Sequence, residues 1–404
     1  MPFPGPRLAE RRRLRYRFRS LHTIPKPSQY EQNLIMSRFE GRSDFRHDET
    51  ECLGVLLTNL GTPDAPTPAA LRRYLGEFLA DPRVVEIPRV IWRLILHGIV
   101  LRTRPAKSAE AYERIWTERG SPLLTGTRDL AELLDKRLKQ RFPGRIRIEV
   151  AMRYGQPDLQ GGLERLRDAG ARRLLVLPLY PQYASSTTGS TWEAVTRVLS
   201  RWRWIPEFRM VTGYHDDPGY IQALADSLRS HWYRHGRGER LLFSFHGIPR
   251  DTFLAGDPYH CHCHKTARLV ARRLGLKDHE WEVAFQSRFG RAEWLKPYTD
   301  ETLERWGREG SGKIDVICPG FPVDCLETLD EIADENAELF HESGGGELRY
   351  VPALNHSEEH VHTLAELIGR HAAGWPEIER RSKEDARAKA EFSLERARAL
   401  GAKR

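Results

Sequence analysis

RLLFSFHGIP (240–249) is a short apolar run that ends in an imidazole, with a glycine and a proline directly behind it. An unbroken apolar stretch of this length, closed by turn residues, reads as a strand covered on both faces, as in parallel sheets. Seven more stretches share its character: CLGVLLTNL (52–60), IRIEVAMRY (146–154), RLLVLPLY (173–180), FRMVTGY (208–214), WEVAFQSRF (281–289), KIDVICPGF (313–321) and LRYVPALN (348–355). Helix-forming segments separate them, which is the pattern of βαβ units. The second half echoes the first at nearly constant separation. Glu149-Val150-Ala151-Met152 answers to Glu282-Val283-Ala284-Phe285, Val176-Leu177-Pro178 to Ile317-Cys318-Pro319, and Arg209-Met210-Val211 to Arg349-Tyr350-Val351. The chain is therefore expected to be α/β, with two similar lobes, each a four-stranded parallel sheet flanked by helices, and a cleft between them. The boundaries read as an N-terminal extension over 1–51, mostly disordered, lobe one over 52–215, lobe two over 216–375 and a charged helical tail over 376–404. Ligands of open parallel sheets sit beyond the carboxyl ends of the strands, so the residues that close each strand are the functional candidates.

The net charge of +8 on 404 residues invites a nucleic-acid reading. Its distribution argues against one: residues 1–35 carry +6 and 376–404 carry +3, leaving about −1 on the body. The leader is Pro- and Arg-rich and reads as disordered, or as an over-called start, since Met36 could begin the chain. Five cysteines, an odd number without a secretory leader, fit a reducing compartment. The most apolar segment, VIWRLILHGIVL (90–101), is too short and too charged to span a bilayer. Its Trp92, Leu96 and Ile99 can share one helical face, so it could lie on a membrane or line an apolar cleft.

His246 sits where a working base would sit, although an isolated histidine there is as often satisfied by a neighbouring carbonyl. After the strand KIDVICPGF, residues Asp324, Glu327, Glu331, Asp334 and Glu338 are spaced three or four apart and would stack five carboxylates on one helical face. Such a ladder costs helix stability unless protons or cations compensate it, and it would suit a path for one of them. The same acids at a helix start could serve only the dipole. Cys261-His262-Cys263-His264 has no second pair at zinc-finger spacing, and in an extended segment alternate residues diverge, so it reads as a surface loop opening the helix KTARLVARRLGL. The Ser/Thr run 185–191 reads as an N-cap, and the strand-end tyrosines before it are placed to stack on a flat ligand.

These motifs together resemble the ferrochelatases over residues 52–372: LLTNLGTPDAPTPAALRRYLGEFLADPRVVEIPR (56–89), MRYGQPDL (152–159), YPQYASSTTGST (180–191), FSFHGIPRDTFLAGDPYHCHC (243–263), FQSRFGRAEWLKPYTDET (285–302) and CPGFPVDCLETLDEI (318–332). The resemblance implies two Rossmann-like, chelatase-like lobes and insertion of ferrous iron into protoporphyrin IX. It implies that His246 is the active-site histidine and Glu327 the glutamate facing it across the porphyrin, with Glu331 and Asp324 as an acidic trail on a locally widened helix, all four as metal-contacting candidates. It further implies that Arg153, Tyr154, Tyr183 and Trp294 line the porphyrin cleft and that Arg104 and Ser121 meet propionates. Cys325 stands where some relatives carry histidine. Iron enters as substrate and no resident cofactor is implied; this C-terminus has no cysteine, so the iron–sulfur cluster some relatives hold there is not expected. The implied partners are protoporphyrin IX and ferrous iron, with no nucleic acid, and the implied location is cytoplasmic, with peripheral contact to the inner membrane as an option. A non-catalytic porphyrin or haem carrier is the competing class, for which a cleft suffices and no base is needed.

Overall fold

A computed structural model of the chain describes residues 39–42, 45–290, 292–379 and 383–402. The strands β1 (Cys52–Thr62), β2 (Ile146–Gly155), β3 (Ala171–Pro178) and β4 (Glu207–Met210) form one sheet in the order β2-β1-β3-β4. The strands β5 (Arg240–His246), β6 (Trp281–Gln286), β7 (Lys313–Ile317) and β8 (Glu347–Val351) repeat that order as β6-β5-β7-β8. Every pairing is parallel. The first lobe carries α1 (Pro68–Phe78), α2 (Arg89–Ile95), α3 (Leu101–Ile115), α4 (Pro122–Arg141), α5 (Leu159–Asp168) and α6 (Ser190–Leu199). The second carries α7 (Pro218–His235), α8 (Arg250–Leu254), α9 (Tyr259–Leu274), α10 (Thr299–Arg308), α11 (Leu326–Leu329), α12 (Asn336–Glu342) and α13 (Glu358–His371), and α14 (Lys383–Ala399) follows.

The strands read as unbroken apolar runs because both faces of each sheet are covered. On β1, Leu53, Val55 and Leu57 enter one apolar cluster and Cys52 and Leu56 another. On β5, Leu241, Phe243 and Phe245 point one way and Leu242 the other. Successive side chains alternate across a strand, so His246 leaves the sheet on the face of Leu242 and Ser244, toward α10 to α12. The opposite faces of the two sheets, β1 and β5 included, join a single cluster with side chains of α4, α7, α9 and α13. The lobes are thus fused beneath and face each other only beyond their strand ends.

Several local expectations change. Helix α13 packs against α4 and β3 of lobe one as well as α7. The tail does not begin at 376: Trp375 is 2 % exposed, Ile378 packs on the shared core, and Glu377 is buried on Arg173. The Glu377–Arg173 ion pair and the packing of Trp375 and Ile378 tie the segment to the body, and the exposed helix of the described tail is α14. The expected disordered leader falls on residues 1–38, outside the described residues. Cys261-His262-Cys263-His264 is not a surface loop but lies inside α9, whose first residue is Tyr259; Cys263 is fully buried. The Ser/Thr run does not cap α6: residues Ser185–Gly189 form a π-helical turn, with Ala184 at the capping position. Ile99 does not share a buried face with Trp92 and Leu96, because a π-helical turn over Leu96–Val100 rotates it outward. No described helix is long and apolar enough to cross a membrane.

Candidate active site

His246 closes β5 and is half-buried. Its Nδ1 lies 2.6 Å from the carbonyl oxygen of Gly247, and only Nδ1–H can donate there, so Nε2 keeps the free lone pair. Trp294 and Phe321 flank the ring, with centroids 6.3 and 6.5 Å away. A Cβ on Gly247 would stand 3.0 Å from both the Gln286 carbonyl oxygen and the Trp294 ring, so the close packing of this turn selects glycine.

Across β5–β6, His246 pairs with Gln286. The Gln286 amide donates to the main-chain oxygen of Glu327 at 2.7 Å and to a carboxylate oxygen of Glu331 at 3.2 Å. The backbone N–H of Ser287 donates to the other Glu331 oxygen at 2.7 Å, and its hydroxyl donates to the first. Ser287 holds φ at +65°, a left-handed conformation uncommon outside glycine, which aims both of its donors at one carboxyl. Burial pushes the Glu331 carboxyl above its ordinary range, opposed by the Ser287 hydrogen bond and by His246. Glu327 is half-buried one turn earlier, on the short α11, and its charge reaches the buried hydroxyls of Tyr74 and Tyr112 in lobe one, adding to the upward push of burial on both.

The carboxylates do not form one ladder. Asp324 precedes the helix, and its oxygens accept from Thr328, Tyr350, the Ala353 N–H and Asn355, so it ties the β7 and β8 loops together. A π-helical turn over Glu331–Glu335 widens the helix and swings Asp334 and Glu338 outward. The compensating cation is Arg114 of α3, which reaches across to the buried Asp330 in a bidentate pair of 2.6 and 2.9 Å and touches Glu335. Among the described residues no three His, Cys, Asp or Glu side chains form a metal-holding group, the set His246, Glu327, Glu331 and Asp324 included.

The other expected residues fall into two settings. Arg153 and Tyr154, at the end of β2, meet Asp81: its carboxylate accepts from Arg153, from the Tyr154 hydroxyl at 2.9 Å, from Ser190 at 2.6 Å and from the Arg83 N–H at 2.8 Å. Burial would raise that carboxyl, but these donors hold it below the usual range. Tyr154 is fully buried beneath the Arg153 guanidinium. Ser121 is likewise buried and accepts from Thr62 at 2.8 Å. Trp294 is buried with its indole N–H on the Phe289 carbonyl oxygen, and Arg104 of lobe one lies 5.2 Å over the Phe289 ring of lobe two. Tyr183 takes a different neighbour: its N–H donates to His262, and no hydrogen bond or ring contact joins it to His246.

Sequence reasoning missed Asp81, Gln286 and Ser287. Asp81 is visible only as an acid before a proline in an otherwise apolar stretch, and Ser287 only as the residue just past a strand end.

The ferrochelatase family model matches residues 52–372. The ferrochelatase of Thioalkalivibrio sulfidiphilus is 60% identical over 367 residues, 91% of this chain and 100% of its own. That of Nitrosococcus oceani is 56% identical over 367 residues, 90% of this chain and 99% of its own. The relative in Marinobacter nauticus is 54% identical over 337 residues, 83% and 91%. Matches of this extent cover both lobes and every strand end described above, and the chain belongs to the ferrochelatase family.

Proposed function

We infer that the chain inserts ferrous iron into protoporphyrin IX to form protohaem, and that His246 takes the pyrrole protons. The observation that carries the assignment of His246 is its free Nε2 lone pair at the end of β5, next in register to Gln286, whose amide holds Glu331, a carboxyl that burial pushes upward. Metallation removes two N–H protons from the macrocycle as the divalent ion enters, so the site needs a base and an exit for protons. A neutral imidazole works near neutral pH, and a buried carboxyl with a raised pKa can accept from it and pass the proton on. Glu327 faces the lobe-one wall, where its charge favours a cation approaching the ring. Arg104 offers the propionates a guanidinium, and Trp294 packs behind the imidazole. A rigid slot that fits a bent macrocycle better than a flat one lowers the barrier by transition-state complementarity. The reading requires no resident cofactor.

The same reading places the enzyme in the cytoplasm with the segment 87–99 on the inner membrane. Val90, Ile91, Leu94 and Ile99 are 76, 54, 72 and 60% exposed, with Arg93 and His97 among them. An apolar ridge with interspersed positive charge suits an anionic lipid surface.

His246→Ala is expected to lower anaerobic iron insertion at least 100-fold while the protein still quenches porphyrin fluorescence on binding. Turnover near the wild-type rate in that variant would remove His246 from the mechanism.

A further inference from the structure

The histidines at the start of α9 are not used by this chemistry. Because the segment is helical, residues four apart stack, and the His260 and His264 rings lie 4.4 Å apart with a tilt of 52°. Both rest on Phe285, at 5.7 and 6.1 Å, and Phe253 closes on His260 at 4.9 Å. Neither ring makes a hydrogen bond among the described residues, so their nitrogens hold no committed partner. Burial favours the neutral form of each, which carries a lone pair for a metal. The other members of the run are committed or point elsewhere. His262 stacks on His215 with ring centroids 3.6 Å apart and accepts from Tyr183, Cys263 is buried, and Cys261 is exposed.

We propose that His260 and His264 form a two-imidazole chelate for a borderline divalent transition ion, outside the strand-end site. Imidazole pairs suit such ions, and water completes the coordination. No third His, Cys, Asp or Glu side chain joins them among the described residues, and Arg268 one turn on adds positive charge, so the ion exchanges readily. Phe285, the floor of the pair, is followed on β6 by Gln286, whose amide bonds both Glu327 and Glu331. The pair thus packs on the strand residue next to Gln286, on the other face of the sheet from the acids that Gln286 holds. An enzyme that consumes a divalent ion has a use for a holding site in that place.

The test is equilibrium dialysis of the untagged full chain against Ni2+ at pH 7.5 without porphyrin. Wild type is expected to hold one equivalent more than His260→Gln or His264→Gln, each single variant losing the same equivalent, while His246→Ala keeps it. Equal stoichiometry in wild type and both glutamine variants, or loss of the equivalent in His246→Ala alone, overturns the proposal. Should a glutamine variant fail to fold, wild type decides: Ni2+ must shield His260 and His264 from diethyl pyrocarbonate, located by peptide mass, and unshielded modification refutes the site.

Discussion

Asp81 shows how much a single buried carboxylate organises in this enzyme. It gathers Arg153 and Tyr154 from the end of β2, Ser190 from the start of α6 and the Arg83 amide two residues along. Removing one partner of such a buried pair leaves the other charge uncompensated, at a cost of about 3 kcal/mol. Asp81→Asn is accordingly expected to lower the unfolding free energy from urea titration by that much, with a fall in midpoint, and to raise KM for porphyrin more than it lowers kcat, because Arg153 loses its anchor. Unchanged midpoint and unchanged KM would show the pair to be idle. At this scale the sequence was legible where position follows from local pattern, as for His246 at the end of β5. It was illegible where the partners are remote. The carboxylate of Asp324 is spoken for by Tyr350 and Asn355, some thirty residues along the chain, and no local spacing reveals that.

Strands were the most readable elements. Burial on both faces leaves a continuous apolar signal, so all eight were expected within a few residues of their ends. The π-helical turns were not readable from periodicity, because one extra residue in a turn leaves helix propensity unaltered while rotating everything beyond it; the widening over Glu331–Glu335 was implied by the resemblance alone. That rotation undid both the five-carboxylate ladder and the expected shared face of Trp92, Leu96 and Ile99. The second of these has a measurable consequence. With Val90, Ile91, Leu94 and Ile99 outward, burying four such side chains in lipid contributes on the order of 6 kcal/mol before the cost of association. Ile91→Glu with Leu94→Glu should abolish cosedimentation with vesicles containing anionic lipid and leave insertion into detergent-solubilised porphyrin intact. Undiminished vesicle binding would take the segment off the membrane.

For the whole molecule, the internal echoes foretold the duplicated sheet order, but not the fusion of the two lobes through one interior. That fusion depends on helix faces, α13 above all, whose destination no local pattern encodes. Histidines sit in or beside it. Burial pushes His360 and His215 to about 4, the latter with help from the neighbouring His262. In the unfolded chain both would take a proton near 6.5, so between that pH and about 4 the unfolded state binds more protons. Stability is full above the upper value and is lost as pH falls toward the lower one. For the fully buried His360 alone, 2.5 pH units amount to about 3 kcal/mol. Down to pH 5.0 about 1.5 of those units are expressed, so unfolding free energies from urea titrations at pH 7.5 and 5.0 should differ by about 2 kcal/mol from His360 alone, and a value constant over that range would contradict the assignment. The common interior also limits how this protein can breathe. Swinging one half away from the other would split an apolar mass that runs unbroken from Leu57 to Phe243, so the molecule cannot open like a clam. Room for an entering macrocycle has to be made at the rim, by small shifts of side chains such as Phe289 and Arg104.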